Sequence, residues 1–153
     1  MLLLVSRYIV AFLILFPIWG QGCHAEAGFP RVDFELNDRI YHLEIADTLE
    51  RKTRGLMFRT ELAKDSGMLF VYDKPAYLNI WMKNTLIPLT VLWLDERARI
   101  IDIKNLYPCR SQQCPSFGPS QPSQYVIELH ASESAHFNLG DKLTRVTQWH
   151  AMQ

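Results

Sequence analysis

The sequence predicts a mainly-β single domain, either a sandwich or jelly-roll-like fold or a partly open barrel, with one or two short helices. Three observations predict it. Apolar runs are short and closely spaced, several alternate apolar with polar residues, and turn-forming residues separate them. The 153 residues suffice for one domain with a real core and are too few for two.

Residues 31–46 read as a hairpin. Val32, Phe34 and Leu36 alternate with Asp33 and Glu35, Asn37-Asp38 supplies the turn, and Ile40, Leu43 and Ile45 resume the apolar positions. Asp47-Thr48 follows as a helix N-cap, because either side chain can accept from the open amides of a first turn. The helix is expected from about residue 49 towards 57, with Arg51, Lys52 and Arg54 solvated or pairing with Glu50. Gly55 falls inside that pattern at a cost of about 1 kcal/mol against alanine. It therefore either admits another backbone closely or ends the helix early.

Residues 67–72 form a short buried strand, and Asp73-Lys74-Pro75 is expected to turn the chain. Residues 78–85 read as a strand ending in polar side chains. Residues 89–94 are nearly all apolar, as a strand covered on both faces must be. Asp95-Glu96-Arg97 turns into an alternating strand over 99–104. Residues 107–124 show no periodicity and hold Pro108, Pro115, Pro119 and Pro122. Loops of such length are uncommon in compact domains and are often functional or disordered. A strand returns at 125–129, Ser132 can cap a short helix through Phe137 that stops near Gly140, and 142–147 is a last strand.

The N-terminus reads as an export signal. Residues 2–20 are almost entirely apolar, broken by Ser6, Arg7 and Pro17, and the uninterrupted part is shorter than the roughly 20 residues that span a bilayer. Ala25-Glu26-Ala27 offers small residues at both positions a signal peptidase reads. The expectation is a signal peptide over 1–27 and a single β-rich domain over 28–153, with its core at about 32–147. Two alternatives stand beside it: a lipoprotein signal before Cys23, and an uncut anchor. Cleavage after Ala27 removes Cys23 and leaves an even pair of cysteines. The location expected is periplasmic or secreted, or lipid-anchored to the membrane in the Cys23 alternative.

Composition narrows the function classes. Lysine plus arginine number 16, as do aspartate plus glutamate, and removal of the signal leaves 15 of each. No basic surplus points to nucleic acid. No phosphate-binding, dinucleotide, zinc-protease or serine-hydrolase motif occurs, and no cofactor is expected.

Cys109 and Cys114 are the most specific local feature. In an oxidising compartment two close thiols most simply form a disulfide, which closes a ring stabilised by roughly 2 kcal/mol in the chain-entropy model. Their spacing lacks the features of a redox motif, and two cysteines are too few for zinc. The stretch Trp81-Met82-Lys83-Asn84-Thr85 is the main site candidate. Strand alternation would place Trp81, Lys83 and Thr85 on one face, an aromatic floor with a cation and a hydroxyl, and Met82 with Asn84 on the other. The plainer reading is a lysine snorkelling from a sheet rim beside turn-satisfying side chains. Met57, Met68 and Met82 could offer thioethers to Cu(I), although methionine is far more often core filling. His42, His130, His136 and His150 show no ligand spacing. Glu128, between Ile127 and Leu129, is either a general acid or base or a structural carboxylate paired with Arg54.

Several segments together resemble the domain-of-unknown-function family 192. They are Ile45-Ala46-Asp47-Thr48, Arg54-Gly55-Leu56-Met57-Phe58-Arg59, Gly67-Met68-Leu69-Phe70, the run from Trp81 to Leu89, the Pro108-Cys109…Cys114-Pro115 loop, and Tyr125-Val126-Ile127-Glu128-Leu129. The likeness spans about residues 32–146. It implies a compact β-rich sandwich or jelly-roll domain and brings no activity. It draws attention to Arg54, Trp81, Lys83, Asn84, Thr85, Cys109, Cys114 and Glu128 as family-typical positions. Two departures stand out: members often carry aspartate where Thr90 stands, and glycine where Ala98 stands.

The functional expectation is an exported envelope domain that binds a small polar ligand or an envelope protein. Its site is expected between the strand end at Lys83-Asn84-Thr85 and the stapled proline loop. The ligand-binding candidates are Arg54, Trp81, Lys83, Asn84, Thr85 and Glu128. An enzyme would use Lys83 or Glu128 for proton transfer and Arg54 to hold an anion. A structural or interaction protein of the envelope would need no cleft, only an exposed apolar patch or an open sheet edge.

Overall fold

A computed structural model describes residues 28–146. The expected signal segment, Cys23 and His150 lie outside the described residues. Most of the strands form one curled seven-stranded sheet, a half-barrel, so the partly open barrel is the form adopted.

β1 (Arg31–Leu36) and β2 (Arg39–Ala46) pair antiparallel. Asn37 and Asp38 join them with φ of 52° and 59°. Both are left-handed, which a two-residue turn of this hand requires. Thr48 Oγ1 then accepts from the Arg51 amide at 3.2 Å and starts α1 (Leu49–Arg54). The helix stops three residues earlier than expected. Gly55 leaves it with φ 48°, and a side chain there would press on the Phe70 ring.

β3 (Ser66–Ala76) runs through Asp73-Lys74-Pro75 rather than turning there. Its pairing with β8 is irregular between Val71 and Ala76, and such a break accommodates a proline that has no amide to give. Only β4 (Ile80–Trp81) of the expected strand over 78–85 forms. β5 (Leu89–Leu94) is buried at all six positions, as its apolar run requires. β6 (Ile100–Leu106) follows a turn in which Ala98 adopts φ 59°, the left-handed geometry that glycine would take more easily. β7 (Ser116–Phe117), within the proline loop, pairs with β4 in a separate ribbon. β8 (Ser123–His130) leads into a 3₁₀ helix (Ala131–His136) capped by the His130 ring, not by Ser132. β9 (Thr144–Arg145) ends the sheet.

The strand order is β6-β5-β8-β3-β2-β1-β9. All neighbours are antiparallel except β2 and β3. A parallel pair cannot be joined by a tight turn. The crossover between them carries α1 and the loop after it. The chain on either side of β9 links the sheet's opposite sides: the Ile100 amide donates to Asp141 O at 2.9 Å and the Leu143 amide to Ala98 O at 2.9 Å before it, and the Val146 amide donates to Asp33 O at 3.1 Å after it.

Both sheet faces are covered. One packs Phe34, Leu36, Leu43, Leu92 and Ile127 beneath Phe137 and Leu143. The other packs Met68, Phe70, Val91, Trp93 and Val126 with Leu56, Ile80, Met82 and Ile87. Gly67 allows β3 and β8 to approach. A Cβ there would collide with the Glu128 carbonyl oxygen and the Leu129 side chain.

A candidate site around a buried carboxyl

Across the second face, Glu44 of β2 stands opposite Met68 of β3, Met68 opposite Glu128 of β8, and Glu128 opposite Val91 of β5. Strand alternation sends Ile127 and Leu129 into the first core and Glu128 to the second face. Glu128 is only 6% exposed. Among the described residues it makes no side-chain hydrogen bond or salt bridge. Burial pushes its carboxyl up to about 8, against the opposing charge of Arg59. At neutral pH it is therefore mainly a neutral acid with a proton to donate. Nearby Tyr72 is also pushed up, by burial and then by Glu128.

Arg59 is engaged with Glu44. Its Nη1 donates to Glu44 Oε1 at 2.9 Å and its Nη2 to Glu44 Oε2 at 2.6 Å, a bidentate pair. Arg31 adds a 3.3 Å contact to the same carboxylate. Burial alone would raise the Glu44 carboxyl, yet Arg59 and Arg31 together hold it below its ordinary value. The two buried acids of this face thus differ: Glu44 is a paired anion and Glu128 is a neutral acid.

Glu128 lines a small cavity of about 70 Å³ under the end of α1, with Lys52, Arg54, Tyr72, Trp81 and Thr85 among its other walls. Lys52 Nζ lies 4.4 Å from the Tyr72 ring centroid and Lys83 Nζ lies 5.2 Å from that of Trp81. Two wider hollows flank the crossover loop. One, of about 480 Å³, includes Arg31, His42, Glu44 and Arg59, and the other, of about 320 Å³, includes Phe29, Arg54, Phe58 and Arg59.

Four of the six ligand-binding candidates, Arg54, Trp81, Thr85 and Glu128, line the one cavity. Lys83 and Asn84 do not. The expected grouping of Trp81, Lys83 and Thr85 on one face fails because the strand ends at Trp81 and Asn84 takes φ 56°. That reversal buries Thr85 and leaves Lys83 exposed. The strand end and the proline loop lie against one another. Their backbones pair directly, Lys83 with Cys109. Cys109 and Cys114 lie at bonding distance, Cα atoms 5.7 Å apart, and neither lines the cavity. The opposing charge that lowers the Glu128 carboxyl comes from Arg59, which was not among the candidates.

Arg59, Glu44 and Tyr72 were not among the sequence candidates. Arg59 closes the Arg54-to-Arg59 run and was the available signal. Met68 and Met82 are buried core, and Met57 instead faces Asn84, whose Nδ2 lies 4.0 Å from its Sδ. Among the described residues no three His, Cys, Asp or Glu side chains gather as metal ligands. Thr90, in the aspartate-typical position, is fully buried and donates to Asn105 Oδ1 at 2.9 Å. The proline loop is tied to β6 through the Ser120 amide, 2.8 Å from Asp102 Oδ2, and through Lys104 Nζ on Gly118 O. Phe58, Trp81, Leu86 and Tyr107 are exposed apolar side chains.

These features define a small half-barrel domain with a neutral acid under its crossover loop. The family model DUF192, described as "Uncharacterized ACR", matches residues 32–144, and the chain belongs to that family. A UPF0127 protein of Thermococcus gammatolerans is 31% identical over 98 residues, 61% of this chain and 60% of that protein. The chain thus matches less than two thirds of that relative's length. A crystal structure of a protein of unknown function from Novosphingobium aromaticivorans superimposes with TM-score 0.70 at 28% identity, covering 82% of this chain and 90% of that one. Another, from Sinorhizobium meliloti, whose name proposes a transcription regulator, gives TM-score 0.68 at 28% identity, covering 78% and 97%.

Proposed function

We propose that this chain is an exported small-ligand-binding domain of the cell envelope, periplasmic or secreted, and that the cavity floored by Glu128 is its binding site. One observation carries the reading. A buried acid with no hydrogen-bond partner among the described residues opens on a cavity walled by Arg54, Trp81 and Thr85. A carboxyl that makes no side-chain hydrogen bond to the described residues has its proton and lone pairs available to a guest in that cavity. The apolar leader and the closely set cysteines support export. The balanced charge of the chain gives no support to a nucleic-acid role.

A thermal-shift screen of sugars, amino acids, nucleotides, metals and organic acids tests this reading. A stabilising compound whose effect is lost in Glu128→Leu is expected. Stabilisation that persists undiminished in that variant places the ligand elsewhere.

The neutral state of Glu128 favours a second reading, an enzyme in which this residue is the general acid and Arg54 holds an anionic substrate. Lys83, outside the cavity, leaves that scheme. Turnover of a screen hit by the wild type and not by Glu128→Gln would select the enzyme. Tight binding without turnover would select the binding domain.

A further inference from the structure

We propose that, while the apolar leader holds the chain to a membrane, the layer covering the second sheet face rests on the lipid bilayer, with Phe58, Trp81 and Leu86 seated at the bilayer surface. This contact lies beyond the ligand-binding reading and does not depend on it.

Leu56, Ile80, Met82 and Ile87 of this layer pack into the core. Close to them in the chain, Phe58, Trp81 and Leu86 are large apolar side chains left exposed. The three belong to one surface. The Phe58 amide donates at 2.8 Å to the carbonyl of Asn84, which lies between Trp81 and Leu86 in the chain. Met57 walls both the hollow that includes Phe58 and the cavity that includes Trp81. Phe58 is kept there at φ 63°, a costly conformation for a bulky residue. Exposed apolar side chains grouped in this way mark a contact with protein or with lipid.

The path of the chain selects lipid. Gly28 lines the same hollow as Phe58, and Phe29 packs against the core beneath this layer. Upstream, residues 2–20 are almost entirely apolar. From Gly20 to Gly28 the chain can reach at most about 28 Å, less than the roughly 40 Å thickness of a bilayer with its headgroups. With the leader inserted, the layer around Phe58 is therefore the side of the domain drawn to the lipid. Charge agrees. Residues 54–60 and 77–88, which build the layer, contain no aspartate or glutamate for lipid phosphates to repel. Between Trp81 and Leu86 the one charge is Lys83, whose Nζ lies 5.2 Å from the Trp81 ring centroid. Both side chains carry an apolar body and a polar tip, the combination that suits the headgroup zone.

Cell-free synthesis of the full chain onto vesicles of phosphatidylethanolamine and phosphatidylglycerol keeps the leader in the lipid, so the depth of Trp81 is the readout rather than binding. Trp81 is read as the fluorescence that Trp81→Phe lacks, which sets Trp19, Trp93 and Trp149 aside. Lipids brominated near the headgroup should quench that signal, and aqueous iodide should reach it poorly. The double variant Phe58→Ser with Leu86→Ser should lose the lipid quenching and gain quenching by iodide. Leu139→Ser, an exposed leucine in the segment that covers the first face, should change neither. A Trp81 signal that iodide quenches and brominated lipid does not overturns the proposal. So does lipid quenching that the double variant leaves intact, or that Leu139→Ser removes as fully. Protection from iodide without lipid quenching means that protein covers the patch, a second copy or another partner, and this result overturns it too.

Discussion

Phe58 and Asn84 hold one another in the left-handed region. The Phe58 amide donates to Asn84 O at 2.8 Å, with φ of 63° and 56° at the two residues. Asparagine tolerates this conformation, but for a bulky residue such as phenylalanine it is an outlier. The Phe58 ring, 68% exposed, gains little packing in return. The link joins the crossover loop to the turn that buries Thr85, so strain is stored beside the cavity.

That strain sets an unusual order of variants. Phe58→Gly should be more stable than Phe58→Ala by about 1 kcal/mol, the reverse of the ordinary preference. Urea unfolding of both proteins measures it. An alanine variant at least as stable as the glycine variant would show that the backbone at 58 carries no such cost.

Gly67 governs the spacing of β3 and β8. Gly67→Ala should destabilise by about 3 kcal/mol, because the new methyl meets backbone that cannot swing aside. The strand displaced is the one carrying Glu128, so ligand-induced stabilisation should weaken as well. A variant with unchanged denaturation midpoint would mean the strands separate freely there.

The Glu128 carboxyl links stability to pH. Its ordinary value is 4.5 and its folded value is about 8, so the folded state holds more protons between these limits. Below pH 4.5 both states are protonated and burial carries no ionisation penalty. Stability then falls as pH rises through the window, by up to about 1.4 kcal/mol per unit, and levels off above pH 8. Glu128→Gln should remove this slope and be the more stable protein at pH 8. Chemical denaturation of both proteins at pH 4.5, 6, 7 and 8 gives the comparison, and parallel profiles would contradict it.

Arg59 serves both buried acids. Arg59→Ala should cost about 2 kcal/mol by leaving Glu44 with only its weaker Arg31 contact. It should also raise the titration point of Glu128, since the opposing charge is gone. Carboxyl ¹³C NMR against pH reads the second effect independently of stability. A Glu128 titration unmoved in the variant would separate the two acids.

Much of the sheet was legible because local chemistry dictated it. The Asn37-Asp38 turn, the Thr48 cap and the six buried positions of 89–94 follow from residue type and periodicity alone. The tail of β3 and the ends of the helices were misread, because tertiary pairing overrode their local turn and cap signals. The site was half legible. Arg54, Trp81, Thr85 and Glu128 were candidates for separate reasons, but nothing local said that they share a cavity while Lys83 and Asn84 do not.

The amino-acid order by itself determined a small, strand-rich, charge-balanced domain of a recognisable family, because alternation, turn chemistry and motif order are written residue by residue. Tertiary structure alone decided that Glu128 is a neutral acid and Glu44 an anion. Both are glutamates on neighbouring parts of one face. The difference lies in which of them the Arg59 guanidinium reaches, and that depends on how the β2–β3 crossover lies against the sheet.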